Sequence, residues 1–108
     1  MRYSMFIGRW QTWHDGHKWL IDQRLKEGKN VCIAIRDVAP DEKNPRNAHQ
    51  IKQGLEHKFI NDKQIKVIVI PDIESVNYGR TVGYEIIEHL PPEEIKEISG
   101  TKIREKSD

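Results

Sequence analysis

The sequence predicts an α/β fold, a three-layer sandwich with a small, mostly parallel sheet flanked by helices. Three observations predict it. Val31-Cys-Ile-Ala-Ile35 and Ile65-Lys-Val-Ile-Val-Ile70 are short, β-branched, nearly continuous apolar runs, the pattern of strands buried in a parallel sheet. Between them Ile51, Leu55 and Phe59 recur at four-residue spacing, which is one face of a helix. Strand-like and helix-like stretches alternate along the chain, as they do in βαβ units.

The elements follow in order. Tyr3 to Gly8 is a short apolar segment ending at glycine and reads as the first strand. Asp15 to Glu27 reads as a helix with Trp19, Leu20, Gln23 and Leu25 along its inner side, and Gly28-Lys29-Asn30 stops it. Val31 to Ile35 is the second strand, buried on both faces. The stretch from Arg36 to Arg46 holds two prolines and several charges, so it is a loop. Asn47 to Phe59 is the second helix and Ile65 to Ile70 the third strand, ended by Pro71-Asp72. Ser75 to Gly83 is a loop, Tyr84 to Leu90 a fourth and more polar strand, and Pro91-Pro92 a break. Ser99 to Lys106 forms a terminal helix. Right-handed crossovers then place helices on both faces of the sheet, a Rossmann-like arrangement. Such sheets bind ligands beyond the carboxyl ends of their strands, so Gly8, Arg36 and Asp72 are expected round one cleft.

Bulk properties narrow the function. The 108 residues amount to one domain, spanning 1–108. Lys and Arg total 18 against 17 Asp and Glu, a net charge of +1, which argues against general nucleic-acid binding. A hydrophobic share of 36% and a mean hydropathy of -0.76 fit a soluble domain. No apolar run approaches the ~20 residues that span a bilayer, and the N-terminus is too short in apolar residues for a signal peptide. The single cysteine, Cys32, lies inside an apolar run and reads as a buried thiol in a reducing cytoplasm.

The chemistry concentrates in Gly8-Arg-Trp-Gln-Thr-Trp-His-Asp-Gly-His17-Lys18, where the first strand turns into the first helix. Gly8 admits a close approach of ligand to backbone, and Gly16 leaves room at a helix N-terminus, whose free N–H groups and dipole attract phosphate. His14 and His17 share a face of the first turn and can donate to phosphoryl oxygens. A lone His-x-x-His more often means surface histidines or a partial metal site, but no Cys or carboxylate cluster completes a zinc set, and the flanking glycines and strand-to-helix position favour phosphate. At the other end, Ile98-Ser-Gly-Thr-Lys-Ile-Arg104 offers Ser99 as an N-cap, Gly100 as exposed backbone, the Thr101 hydroxyl, and Arg104 one turn on as a planar cation.

The first segment resembles the G-R-x-Q-P-x-H-x-G-H signature of the cytidylyltransferase-like nucleotidyltransferases, and the second resembles their I-S-[GST]-T-x-[IV]-R signature. The resemblance implies attack of an acceptor phosphate on the α-phosphate of ATP or CTP, with release of pyrophosphate. It implies His14, His17 and Arg104 as catalytic residues, and Gly8, Arg9, Trp10, Gly16, Ser99, Gly100 and Thr101 as nucleotide-binding. Trp10 and Trp13 are candidates to stack on a base. Arg36, with Lys43 and Arg46, resembles the loop handling acceptor and triphosphate; the segment from Ile70 to Tyr84 is similar to the I-P-D-I segment of several adenylyltransferases, which implies that Tyr78, Gly79, Arg80 and Gly83 shape a base or acceptor pocket. Mg²⁺ is expected on the nucleotide itself, since the sequence shows no carboxylate cluster to hold it.

The departures are specific. Thr12 stands where adenylyltransferases carry proline, and Glu94-Ile-Lys-Glu97 replaces the Arg-Thr-Glu-Gly of glycerol-phosphate cytidylyltransferases. An extra strand between the third and fourth is missing, so either the acceptor is small or a partner subunit completes the pocket. A homo-oligomer is the expected state, with no nucleic-acid or membrane partner. The balance tilts slightly to ATP. The competing reading is a non-catalytic nucleotide-binding module descended from the same superfamily.

Overall fold

The computed structural model describes residues 2–11, 13–80 and 83–93. Its elements run β1 (Tyr3–Gly8), α1 (Asp15–Leu25), β2 (Asn30–Asp37), α2 (Ala48–Lys58) and β3 (Ile65–Pro71). The three strands form one parallel sheet in the order β1-β2-β3. Gly8 pairs with Ile35, and Ile35 with Val69, so all three chains reach their carboxyl ends together. This is a small α/β, Rossmann-like fold, as the alternation of elements predicts.

Strand alternation and register decide what the sheet buries. Phe6, Ile33 and Val67 are register partners, and with Val31, Ile35, Ile65 and Val69 they face one side. On that side they cluster with Ile21 of α1 and with Ala48, Ile51 and Leu55 of α2. Both helices therefore cover the same face, where crossovers to both faces were expected. The reason is topological: strands laid down in simple succession, each joined by a right-handed crossover, put every helix on one side. On the other face Tyr3, Met5 and Ile7 of β1 remain exposed. The central strand is buried from Val31 to Ile35, as its continuous apolarity predicts.

Local sequence explains the helix ends. Asn47 caps α2 by accepting from Gln50 N at 2.9 Å, and the Gln50 side chain accepts from Asn47 N at 2.9 Å, a reciprocal capping box. After α1 the chain reverses at Gly28, whose φ of +76° suits glycine; Gly28 N donates to Leu25 O, and Lys29 N to Arg24 O. The buried positions of α1 are His17 and Ile21, with Leu20 and Leu25 packed beside the core. Trp19 and Gln23 are only half-buried and lie outside that cluster. The inward stripe is thus rotated toward Ile21 from the one the sequence suggested.

Residues 84–90 form no strand; their alternation of apolar and charged residues imitates one, but Tyr84, Ile86, Ile87 and Leu90 are all exposed. The segment touches β1 near its start, with Arg2 donating to Gly83 O, and again where His89 stacks on Phe6. The expected terminal helix at 99–106 lies outside the described residues.

Candidate nucleotide site

The loop from β1 into α1 is built around a buried tryptophan. Trp10 sits at φ +58°, a left-handed conformation that costs a non-glycine residue about 1–3 kcal/mol. Its indole Nε1–H donates to Ala34 O at 3.0 Å and its ring packs over Gly8, where a Cβ would lie 3.2 Å from Cε2. A side chain at Gly8 would have to push the indole back by a few tenths of an ångström. Trp10 is only 3% exposed, so it belongs to the core. The structure thus places in the core a ring that the sequence reading offered as a surface to stack on a base.

That indole carries the histidines. The His17 ring meets Trp10 edge-on at 5.0 Å and lies 5.3 Å from Trp13, which itself packs on Phe59 at the end of α2. His14 stacks on His17 with centroids 3.8 Å apart and planes 22° apart. The spacing His14-x-x-His17 thus does place both rings together. His14 is also the N-cap of α1: its Nδ1 accepts from Gly16 N at 3.0 Å, and its carbonyl accepts from His17 N and Lys18 N. A neutral ring that accepts at Nδ1 carries its proton on Nε2. The Gly16 amide is thereby taken up by the His14 ring.

Gly8 also borders an open cleft of about 420 Å³ at the carboxyl end of the sheet, lined by Ile7, Gly8, Arg36 and the segment Ile73, Glu74, Ser75 and Val76. Arg36 pairs with Asp72 at 3.6 Å, while its Nε is buried without a hydrogen-bond partner among the described residues. The segments after all three strands therefore meet. Tyr78 and Arg80 are exposed beyond this cleft and do not line it.

The β2–α2 loop meets the β1–α1 loop. Asp41 and Asn44 exchange backbone hydrogen bonds, and the Asp41 carboxylate accepts from Asn44 N at 2.8 Å and Lys43 N at 3.0 Å. Those bonds, from Asn44 above all, hold the Asp41 carboxyl below the usual carboxylate range, and the charge of Arg9 adds to the effect. Arg9 Nη2 is buried with no hydrogen-bond partner among the described residues. Lys43 and Arg46 are exposed on this loop. The residue that sequence reasoning passed over is Gln11. It is 3% exposed, and its Nε2 donates to Arg46 O at 2.6 Å, with Asn44 O at 3.5 Å. The only hint in the sequence is its place in the Gly-Arg-x-Gln start.

Among the described residues no group of three or more His, Cys, Asp or Glu gathers to hold a metal ion. No helix there is long and apolar enough to cross a membrane. Ser99, Gly100, Thr101 and Arg104, the residues of the second signature, lie outside the described residues.

The chain is similar to an adenylyltransferase. The relative is a nicotinamide-nucleotide adenylyltransferase of Methanocorpusculum labreanum, 29% identical over 94 residues, covering 85% of this chain and 55% of the relative. The chain thus spans about half the length of the curated relative it matches. No family model and no solved structure matches it. The relationship is distant and nucleotidyltransferase-like.

Proposed function

We propose that the protein transfers an adenylyl group from ATP to a small phosphorylated acceptor, with a nicotinamide nucleotide as the first acceptor to try. The observation that carries this reading is the stacked His14–His17 pair at the start of α1, held beside the carboxyl end of β1. A phosphate oxygen of the acceptor attacks the α-phosphorus of ATP. A new P–O–P linkage forms, the α–β bridging P–O bond breaks, and pyrophosphate leaves. Charge grows on the phosphoryl oxygens during this exchange, and imidazole donors fixed before the reaction stabilise it without reorganising.

Ser99, Gly100, Thr101 and Arg104 are assigned to the β- and γ-phosphates on the strength of the signature they resemble. Arg9, Lys43 and Arg46 are assigned to the same end, and Arg36 to the acceptor in the cleft it lines. Gly8 and Gly16 serve by lacking a side chain. Mg²⁺ fits as a counter-ion carried by the triphosphate, which supplies its oxygen ligands; its chemistry there is charge neutralisation. The name of the relative favours ATP over CTP.

The test is pyrophosphate release by purified protein with Mg²⁺, ATP or CTP, and nicotinamide mononucleotide beside other phosphorylated acceptors. Release with ATP and one acceptor supports the reading. Tight ATP binding with no release for any acceptor replaces it with a non-catalytic nucleotide-binding module.

A further inference from the structure

Among the described residues of the β1–α1 loop, Gln11 is a buried polar side chain that reaches into the β2–α2 loop. A primary amide buried at 3% exposure is costly unless its donors are met, and here they are met by the backbone of a loop far along the chain. The bond at 2.6 Å is to Arg46 O, immediately before the Asn47 cap that starts α2. The same loop is closed on itself through Asp41 and Asn44. Its cationic members, Lys43 and Arg46, project from a segment anchored at two points: the Asp41 turn and the Gln11 amide. Arg9, in the same loop as Gln11, acts by its charge on Asp41 and has a buried Nη2 donor that no described residue satisfies.

We propose that Gln11 is a positioning residue. It locks the β2–α2 loop onto the loop that leads to His14 and His17, so that Lys43 and Arg46 close with Arg9 on the polyphosphate end of the nucleotide. This rests on the nucleotidyltransferase reading for the identity of the ligand, though not for the lock itself. Gln11 touches no reacting atom; it acts through the carbonyl it holds. A hydrogen bond of this kind contributes about 0.5–1.5 kcal/mol, so its loss raises the open population of the loop up to about tenfold.

Limited trypsin digestion of the full chain reads this directly, because cleavage after Lys43 and after Arg46 requires the loop to open. Gln11→Met removes the donor at similar volume. It is expected to speed cleavage at those two bonds by up to about tenfold without speeding cleavage elsewhere, and to raise the KM for ATP more than it lowers kcat. Gln11→Asn keeps an amide that falls short of Arg46 O and gives the same local pattern; it also serves if the methionine variant does not fold. In the wild type, inorganic tripolyphosphate is expected to slow both cuts. Unchanged cleavage in the variants, cleavage raised throughout the chain, or tripolyphosphate giving no protection overturns the proposal. Protection by tripolyphosphate but not by ATP leaves the lock standing and removes the adenylyl reading instead.

Discussion

The imidazole of His14 occupies the space that any side chain at Gly16 would need. An ideal Cβ at position 16 would lie 2.8 Å from His14 Cε1 and 2.9 Å from Nδ1, the nitrogen that accepts from Gly16 N. Gly16→Ala therefore sets two effects against each other. Alanine gains about 1 kcal/mol of helix propensity over glycine, while expelling the His14 ring loses an N-cap worth about 1 kcal/mol. The expected outcome is a melting temperature within a few degrees of wild type, by these magnitudes, together with a fall in pyrophosphate release of about a hundredfold, because the displaced ring no longer meets the phosphate. Thermal denaturation followed by circular dichroism, run beside the activity assay, separates the two. Retained activity would show that the ring position does not matter to turnover.

Trp10 provides a test of core against binding site. Trp10→Phe keeps most of the apolar bulk and deletes the Nε1–H that donates to Ala34 O. Loss of a buried hydrogen bond costs about 0.5–1.5 kcal/mol, and the left-handed backbone at Trp10 loses one of the contacts that hold it. Urea unfolding is expected to shift its midpoint down accordingly. ATP affinity, measured where the variant is folded, is expected to stay within about threefold, since the loss of a stacked base would cost ~1–3 kcal/mol and up to a hundredfold or more. A large loss of affinity in a fully folded variant would return Trp10 to the nucleotide.

These two residues show where sequence reading stops. Val31 to Ile35, and Ile51 with Leu55, announce their elements because burial on both strand faces, or on one helix stripe, leaves a period in the chain itself. His14, Gly16 and His17 were legible for the same local reason: their spacing lies within one helical turn. The order of the strands was not, since which strand Ile33 pairs with depends on residues far away, and with it goes the face that α1 and α2 share. Trp10 was unreadable because nothing in its neighbours signals a positive φ or an indole turned back over Gly8. Gln11 escaped notice because its partner Arg46 is distant in sequence. Tyr84 to Leu90 misled in the opposite direction, having strand-like alternation but no place in the sheet's hydrogen-bonded ladder.

Cys32 carries a pH prediction. It lies in the central strand at 5% exposure and forms no disulfide. Burial pushes its thiol pKa up, with the nearby Lys66 charge opposing in part. A raised folded-state value means that the unfolded chain releases the proton first. Stability from this group is intact below the unfolded thiol pKa of about 8.5 and is lost as pH rises through the window between that value and the folded one. The urea midpoint of the wild type is thus expected to fall from pH 8 to pH 10, and Cys32→Ala to lessen that fall. Iodoacetamide is expected to label Cys32 only after unfolding. Rapid labelling of the native protein at pH 8 would contradict the burial.

His17 decides between catalyst and binder. Its ring is 6% exposed, wedged against Trp10 and Trp13 and stacked on His14. A ring held this firmly cannot swing toward ligand, so whatever it contributes to phosphate is fixed in advance. Preorganised donors of that kind act mainly on the transition state. His17→Ala is accordingly expected to cut turnover by about a hundredfold or more while changing ATP affinity much less. The variant also leaves a void between the two indoles and is expected to melt lower, so both quantities are measured at a temperature where circular dichroism shows it folded. Equal losses of turnover and affinity would mean that the histidine only binds. The same pattern at His14, where the ring also caps the helix, would then favour the non-catalytic nucleotide-binding module.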